Sequence, residues 1–222
     1  MPLNEAKGNM YGFVTHTWNT VKGKCPHGCS YCYMKRWGGQ KPVRFDKREI
    51  KTDLGSGNFI FIGSSCDMFA EDIRIAWIIE TLDKANLHKN KYLVQSKNPN
   101  NFLQFHTMLS PESFTLCTTI ETNLFYPEIM GSTPTPEIRA DAMERLWGYK
   151  RMITVEPVME FDIKAFSDLI LSTHPDQVNI GADSGNNGLP EPSGEKVRQL
   201  IEVLSRHTKV FQKPNLARLL KE

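Results

Sequence analysis

The 222-residue chain is 40% apolar and sets 27 lysines and arginines against 25 aspartates and glutamates, a formal charge of +2. So even a balance excludes wholesale wrapping of nucleic acid, and no stretch reaches the roughly 18 apolar residues of a membrane span. The length suits one sizeable core, so a single domain over 1–222 is expected. The opening MPLNEAKGNMYGF lacks the basic head and apolar run of a secretory leader, which points to a cytoplasmic protein.

In chain order, a first strand is expected within MYGFVTHTW (10–18), followed by a cysteine-bearing loop at 22–39. NFIFIGSS (58–65) reads as a buried strand, and the helix after it places Ile75, Ile79 and Leu82 on one face. KYLVQSK (91–97) is a third strand; Pro99 opens a helix carrying Phe102, Phe105 and Leu109. SFTLCTTIE (113–121) precedes a helix started by Thr135 and Pro136, with Ile138, Ala142 and Leu146 inward. RMITVEPVM (151–159) leads to a helix capped by Asp162 with Ile163, Phe166 and Ile170 inward. QVNIGAD (177–183) leads to one capped by Ser193 with Val197, Leu200 and Leu204 inward. TKVFQKP (208–214) and a short helix, NLARLLKE, close the chain, and Trp77 and Trp147 read as helical core. Strands alternating with helices demand parallel pairing through right-handed crossovers. The fold class is therefore α/β, and six or seven units fall short of a closed eightfold barrel, leaving an open one.

The loop KGKCPHGCSYCYMKRWGG holds Cys25, Cys29 and Cys32, three of five cysteines, with Gly28 allowing the backbone to bend between Pro26 and Cys29. In a reducing compartment such a cluster holds metal or does chemistry rather than forming disulfides. A structural zinc site needs four ligands, and no later CxxC supplies the missing pair. His16 or His27 completing a three-cysteine, one-histidine zinc site is the alternative, and would make the chain a metal-stabilised nucleic-acid-binding module without catalysis. A four-iron cube held by only three cysteines keeps one iron open to an outside ligand, and that is a place for chemistry.

The C-x-x-x-C-x-x-C spacing with Tyr31 before its last cysteine closely resembles the signature of the radical S-adenosylmethionine superfamily. HTWNTVKGKCPHGCSYCY, SSCDMFAEDI, LVQSKNP, TTIETN, ITVEPVMEFD, NIGADSG and FQKPN also follow the order of stretches in its phage Gp37/Gp68-like group, although that group often carries longer insertions between the first two cysteines. The resemblance implies a partial, open (β/α)6 barrel. It implies a [4Fe-4S] cluster on Cys25, Cys29 and Cys32 whose open iron chelates S-adenosylmethionine, and reductive cleavage to methionine and a 5′-deoxyadenosyl radical that takes hydrogen from a substrate. With no electron-transfer domain in evidence, an external one-electron reductant of flavodoxin or ferredoxin type is implied. The substrate is a compact metabolite, a nucleic acid or a partner protein.

In such folds functional residues gather where strands end. The turn of Gly63, Ser64 and Ser65 resembles the superfamily's stretch that receives the methionine amino group; an ordinary βα turn is the alternative. Tyr31 joins it as a cofactor neighbour. Lys97 has the charge to meet a ligand carboxylate, or is a solvated lysine. Glu121 and Glu156 end the next strands and can accept ribose hydroxyls, Glu156 in the more apolar setting. Asp67 and Asp183 are expected on the substrate side, with helix capping as the competing role. Cys66 and Cys117 read as small core residues apart from the cluster, and Trp18 and His16 as a wall beside it. The basic run 32–51, with Trp37 and Phe45 among Lys35, Arg36, Lys41, Arg44, Lys47 and Arg48, suits phosphate attraction and base stacking or a solvated surface.

Overall fold

The computed structural model describes residues 2–8 and 10–221. Its strands and helices run β1 (Asn4–Glu5), β2 (His16–Trp18), β3 (Val21–Lys22), β4 (Arg44–Phe45), β5 (Phe59–Ile62), α1 (Ile75–Asn86), β6 (Lys91–Gln95), α2 (Asn100–Gln104), β7 (Phe114–Thr119), α3 (Pro127–Met130), α4 (Pro136–Glu144), β8 (Lys150–Val155), α5 (Ile163–Ser172), β9 (Gln177–Ile180), α6 (Gly194–Ser205), β10 (Lys209–Gln212) and α7 (Ala217–Leu220). The main sheet has the order β1-β2-β5-β6-β7-β8-β9-β10. Every neighbouring pair from β2 to β10 is parallel, and β1 lies antiparallel on β2. Seven parallel strands in sequence order therefore form this mixed α/β fold, within the six or seven units read from the sequence and one more than the (β/α)6 barrel that the resemblance implies.

Local chemistry accounts for the helix starts. Thr135, Asp162 and Ser193 each accept a backbone N–H from three residues on, satisfying one orphan donor of the first turn. Side chains alternate across each strand. Ile60, Ile62, Tyr92, Val94, Leu116, Ile153, Val155, Val178 and Ile180 point one way and pack with Leu82, Phe166, Ile170, Val197, Leu200 and Leu204 of the helices. On the other face, Phe61, Leu93, Cys117 and Met152 meet Tyr11 and Val14 from the connection between β1 and β2. Tyr11 donates its hydroxyl to Gln95 Oε1 at 2.9 Å, so the N-terminal hairpin covers one end of this second face.

Three helix expectations need correction. On α1, Ile75 and Ile79 are 52% and 39% exposed, whereas Ile78, Thr81, Leu82 and Ala85 are buried. The helix carries two apolar stripes at helical spacing, and periodicity cannot choose between them. On α4, Ile138 is exposed while its neighbour Arg139 is fully buried. Trp147, expected in the core, is 82% exposed. No helix of the described residues is long and apolar enough to cross a membrane.

Candidate active site

The antiparallel β3/β4 ladder and the bond from Lys24 N to Lys41 O at 2.8 Å close the base of the cysteine loop. Its crown is held against the end of α3. Ser30 N donates to Ile129 O and Ser132 N to His27 O, both at 2.8 Å, and Cys29 Sγ donates to Met130 O at 3.3 Å. Two glycines make this approach possible. Gly28 bends the loop with φ of 69°, as its place between Pro26 and Cys29 requires, and Gly131 has φ of 67° where a Cβ would stand 2.0 Å from His27 O.

Asp67, after β5, ties the loop to the strand ends. Its Oδ2 accepts from His27 Nε2 at 2.7 Å, Ser96 Oγ at 2.9 Å and Lys97 N at 2.8 Å, and its Oδ1 accepts from Phe69 N at 2.9 Å. Burial opposes charge on His27, but the Asp67 hydrogen bond and charge prevail and raise its pKa. Asp183 is similarly occupied: Gly185 N, Asn187 N and Asn187 Nδ2 all donate to it. Neither carboxylate presents an oxygen without a protein donor.

Behind the loop lies a buried charge network. Tyr31 Oη and Lys97 Nζ converge on Glu121 Oε1, Arg139 Nη1 donates to Glu121 Oε2 at 2.8 Å and to Thr119 O at 2.6 Å, and the Lys97 ammonium also lies 4.4 Å from the Tyr31 ring centroid. Burial alone would raise the Glu121 carboxyl; Arg139, Lys97 and the Tyr31 hydrogen bond overcome it and hold the group well below the usual carboxylate range. Burial, then the Glu121 charge, pushes the Tyr31 phenol far up, so it stays a neutral donor. Two cations thus face one carboxylate.

The turn after β5 is pinned from two sides. Asn19 Oδ1 accepts from Ser64 Oγ at 3.2 Å and Ser65 N at 3.0 Å, and Tyr33 Oη donates to Ser64 O at 2.6 Å, so Gly63, Ser64 and Ser65 flank the turn that follows Cys32. Glu156, after β8, accepts from Lys213 Nζ at 2.7 Å and Asn215 Nδ2 at 3.0 Å. Cys117 is core as expected. Cys66 is buried but is not apart from the cluster: it neighbours Cys25 and lowers the Cys25 pKa against the opposing effect of burial. Trp18 is buried beside the loop and donates to Glu49 O at 2.9 Å, while His16 is half-buried with Nδ1 on Thr15 Oγ1.

The donor set decides which metal group these residues fit. The loop offers three soft sulfurs and no carboxylate, a set suited to iron–sulfur chemistry. Among the described residues no group of three or more His, Cys, Asp or Glu side chains is gathered about a single metal position. A four-iron cube takes each thiolate at a different iron. His27, the nearest zinc candidate, has its Nε2 on Asp67. By donor type the three cysteines fit a thiolate-held cluster.

Sequence reasoning missed Arg139, the His27–Asp67 tether and the partners of Glu156. A charged residue beside the apolar Ile138 of a helix was the available signal for Arg139, and FQKPN was visible as a stretch without a role. In the basic run, Phe45 stacks on Trp77 with centroids 6.0 Å apart, so its ring is already taken, and Lys22 pairs with Asp46 and Glu49 nearby. The side chain of Trp37 lies outside the described residues.

No family model and no curated protein matches this chain. Solved structures do. A mutant of spore photoproduct lyase superposes with a TM-score of 0.61 at 10% identity, over 92% of this chain and 78% of that one. A double mutant of that lyase with bound AdoMet and dinucleoside spore photoproduct gives 0.55 at 11% identity, and the lyase complexed with dinucleoside spore photoproduct gives 0.56 at 10%. This chain spans 64% of the length of each of the latter two. At such identity the likeness is one of fold.

Proposed function

We propose that this chain is a radical S-adenosylmethionine enzyme built on a partial (β/α) barrel. The observation that carries the reading is a loop of three cysteines, free of carboxylates, clamped over the ends of β5, β6 and β7 in a fold shared with an AdoMet-binding lyase. Cys25, Cys29 and Cys32 would hold a [4Fe-4S] cluster, which supplies the electron that splits S-adenosylmethionine into methionine and a 5′-deoxyadenosyl radical. That electron enters from an external one-electron reductant. The finer likeness to the phage Gp37/Gp68-like group rests on the sequence stretches alone.

The chain's own residues have separable tasks. Asp67 and His27 hold the loop at its working height, so Asp67 is a positioning residue rather than a substrate contact. Asp183 does the same for the 183–187 turn. Lys97 and Arg139 leave one positive charge over after Glu121 is counted, and Lys97, the partly exposed member, meets the methionine carboxylate. The turn of Gly63, Ser64 and Ser65 receives the amino group. Glu121 has no exposed surface, so it positions Tyr31 and Lys97. The ribose hydroxyls fall to Glu156, whose side chain stays 19% exposed. Walls of this kind keep water from the reacting centre.

Oxygen-free reconstitution with iron and sulfide tests the reading. The chain should take up about four irons with broad absorbance near roughly 400 nm, as cysteine-ligated clusters do. Lys97→Met should keep that iron and lose most S-adenosylmethionine binding. Equal binding by both proteins, or loss of iron in the variant, would contradict the role given to Lys97.

A further inference from the structure

The charge of this chain is not spread evenly. Residues 22–51 carry nine of its 27 lysines and arginines but two of its 25 aspartates and glutamates, so this segment is +7 in a chain whose remainder is −5. Both acids are taken by one lysine: Lys22 Nζ lies 3.0 Å from Asp46 Oδ2 and 2.7 Å from Glu49 Oε1. The other eight cations are all exposed, and among the described residues none has an ion-pair partner. Like charges collected in this way repel one another and set up a local positive field that a polyanion relieves.

The fold gathers these cations on one arm. Lys22 and Arg44 are opposite one another in the β3/β4 ladder, and Lys24 N donates to Lys41 O at 2.8 Å. The two segments run so close that a Cβ on Gly23 would stand 2.5 Å from Pro42 O. Beyond this ladder Arg44, Lys47 and Arg48 line a surface hollow of about 420 Å³. Asp46 lines it too, but Lys22 holds its Oδ2, and its Oδ1 accepts from Arg48 N at 3.0 Å and Glu49 N at 3.4 Å, so no free carboxylate opposes an anion there. Lys51 ends the helical turn that follows, Glu49–Lys51. The cysteine loop is the connection between the two strands of this arm, and Lys35 and Arg36 follow its last cysteine. Lys35 Nζ donates to Gly28 O at 3.4 Å, and Arg36 reaches Ser184 O, beyond the end of β9. Cations therefore flank the cysteine loop from the hollow at its base to the ends of the strands.

We infer that this basic arm binds the phosphate backbone of a polynucleotide and holds the strand beside the cysteine loop. The chemistry of the surface selects among polyanions. A protein partner makes its main contacts through an apolar and aromatic centre from which charges are depleted. Here no large apolar side chain between residues 38 and 51 is exposed, and Phe45 is stacked on Trp77. A lipid surface would need apolar side chains inserted beside the cations, and these are missing for the same reason. A free mononucleotide would engage the hollow and leave Lys24, Lys35, Arg36 and Lys41 unused. Interfaces with nucleic acid are polar and strongly positive, as this arm is. The −5 charge of the remainder confines the strand to the arm.

The test is fluorescence anisotropy of labelled single-stranded RNA, single-stranded DNA and duplex DNA, each about 16 nucleotides long, with the full chain from about 50 to about 200 mM salt. At least one of the three should bind. Contact with about four phosphates gives a single strand a log–log salt slope of about −2.8, a loss of about fiftyfold over that range. The triple variant Arg44→Gln, Lys47→Gln, Arg48→Gln should bind about tenfold or more weakly, with a slope shallower by about 2. A control that removes three exposed lysines elsewhere, Lys89→Gln, Lys150→Gln and Lys209→Gln, has the same net charge and should bind as wild type does. Thermal unfolding checks that both variants fold. The inference is overturned if no polynucleotide binds at the lowest salt, or if the two triple variants lose affinity alike. It is overturned too if poly-L-glutamate binds where no polynucleotide does, which would make the arm a site for an acidic protein. Binding needs neither cluster nor reductant, so this inference and the proposed reaction fail separately. A chain that binds a polynucleotide but cleaves no S-adenosylmethionine refutes the reaction, and one that cleaves it but binds no polynucleotide refutes the role of the arm.

Discussion

Arg139→Met is the sharpest structural perturbation available. The guanidinium is fully buried, donates to Thr119 O and Glu121 Oε2, and is the larger of the two charge effects that keep Glu121 ionised. Removing one partner of a buried ion pair costs about 3–5 kcal/mol, because the remaining charge is left in a medium that solvates it poorly. Lys97 still touches the other Glu121 oxygen, which places the expectation at the lower end, about 3 kcal/mol. With an unfolding entropy of about 2.1 cal/mol/K per residue, that corresponds to a fall in Tm of roughly 6 °C for this chain. The assay is thermal unfolding followed by circular dichroism for wild type, Arg139→Met, Glu121→Gln and the double variant. Neutralising both partners should recover about 1–2 kcal/mol relative to the sum of the single effects. A fall below about 2 °C for Arg139→Met, or strict additivity in the double variant, would refute the account of a charge pair held together by mutual need.

Other expectations follow from the same geometry. Glu121 is held below its ordinary value of 4.5, so its stabilising contribution is present above that pH and disappears as pH falls below it. Urea unfolding from pH 7 toward pH 3 should therefore narrow the stability gap between wild type and Glu121→Gln; a constant gap would count against it. Asp67→Ala removes the acceptor for Phe69 N, Lys97 N, Ser96 Oγ and His27 Nε2. Hydrogen exchange should accelerate at the Phe69 and Lys97 amides, and unchanged protection there would show that the tether is not structural. Gly131→Ala sets a methyl 2.0 Å from His27 O, so the cysteine loop must move. Iron uptake should drop several-fold in a chain that still folds, and full uptake would mean the α3 wall does not fix the loop.

The parts of this molecule legible in the sequence are those set by neighbours along the chain. Thr135, Asp162 and Ser193 cap their helices as read, because a cap is a bond across three residues. Strand order followed from βα alternation, and the bend at Gly28 from a glycine placed between a proline and a cysteine. Pairings across long separations were hidden. Asp67 looked free until His27, forty residues earlier, was found on it, and Glu121 looked like a ligand contact until Arg139 filled its other oxygen. The inward stripe of α1 depends on how that helix is rolled against its neighbours, which two competing apolar patterns at equal spacing do not reveal.

The central claim is tested most directly by mass-spectrometric measurement of 5′-deoxyadenosine. The reconstituted chain would be incubated with S-adenosylmethionine and a strong one-electron reductant without oxygen. The account predicts that 5′-deoxyadenosine and methionine appear together, in amounts that depend on the reductant, and vanish when Cys25, Cys29 or Cys32 is replaced by alanine. Intact S-adenosylmethionine beside a fully loaded, reduced cluster, or equal cleavage by the three alanine variants, would contradict it.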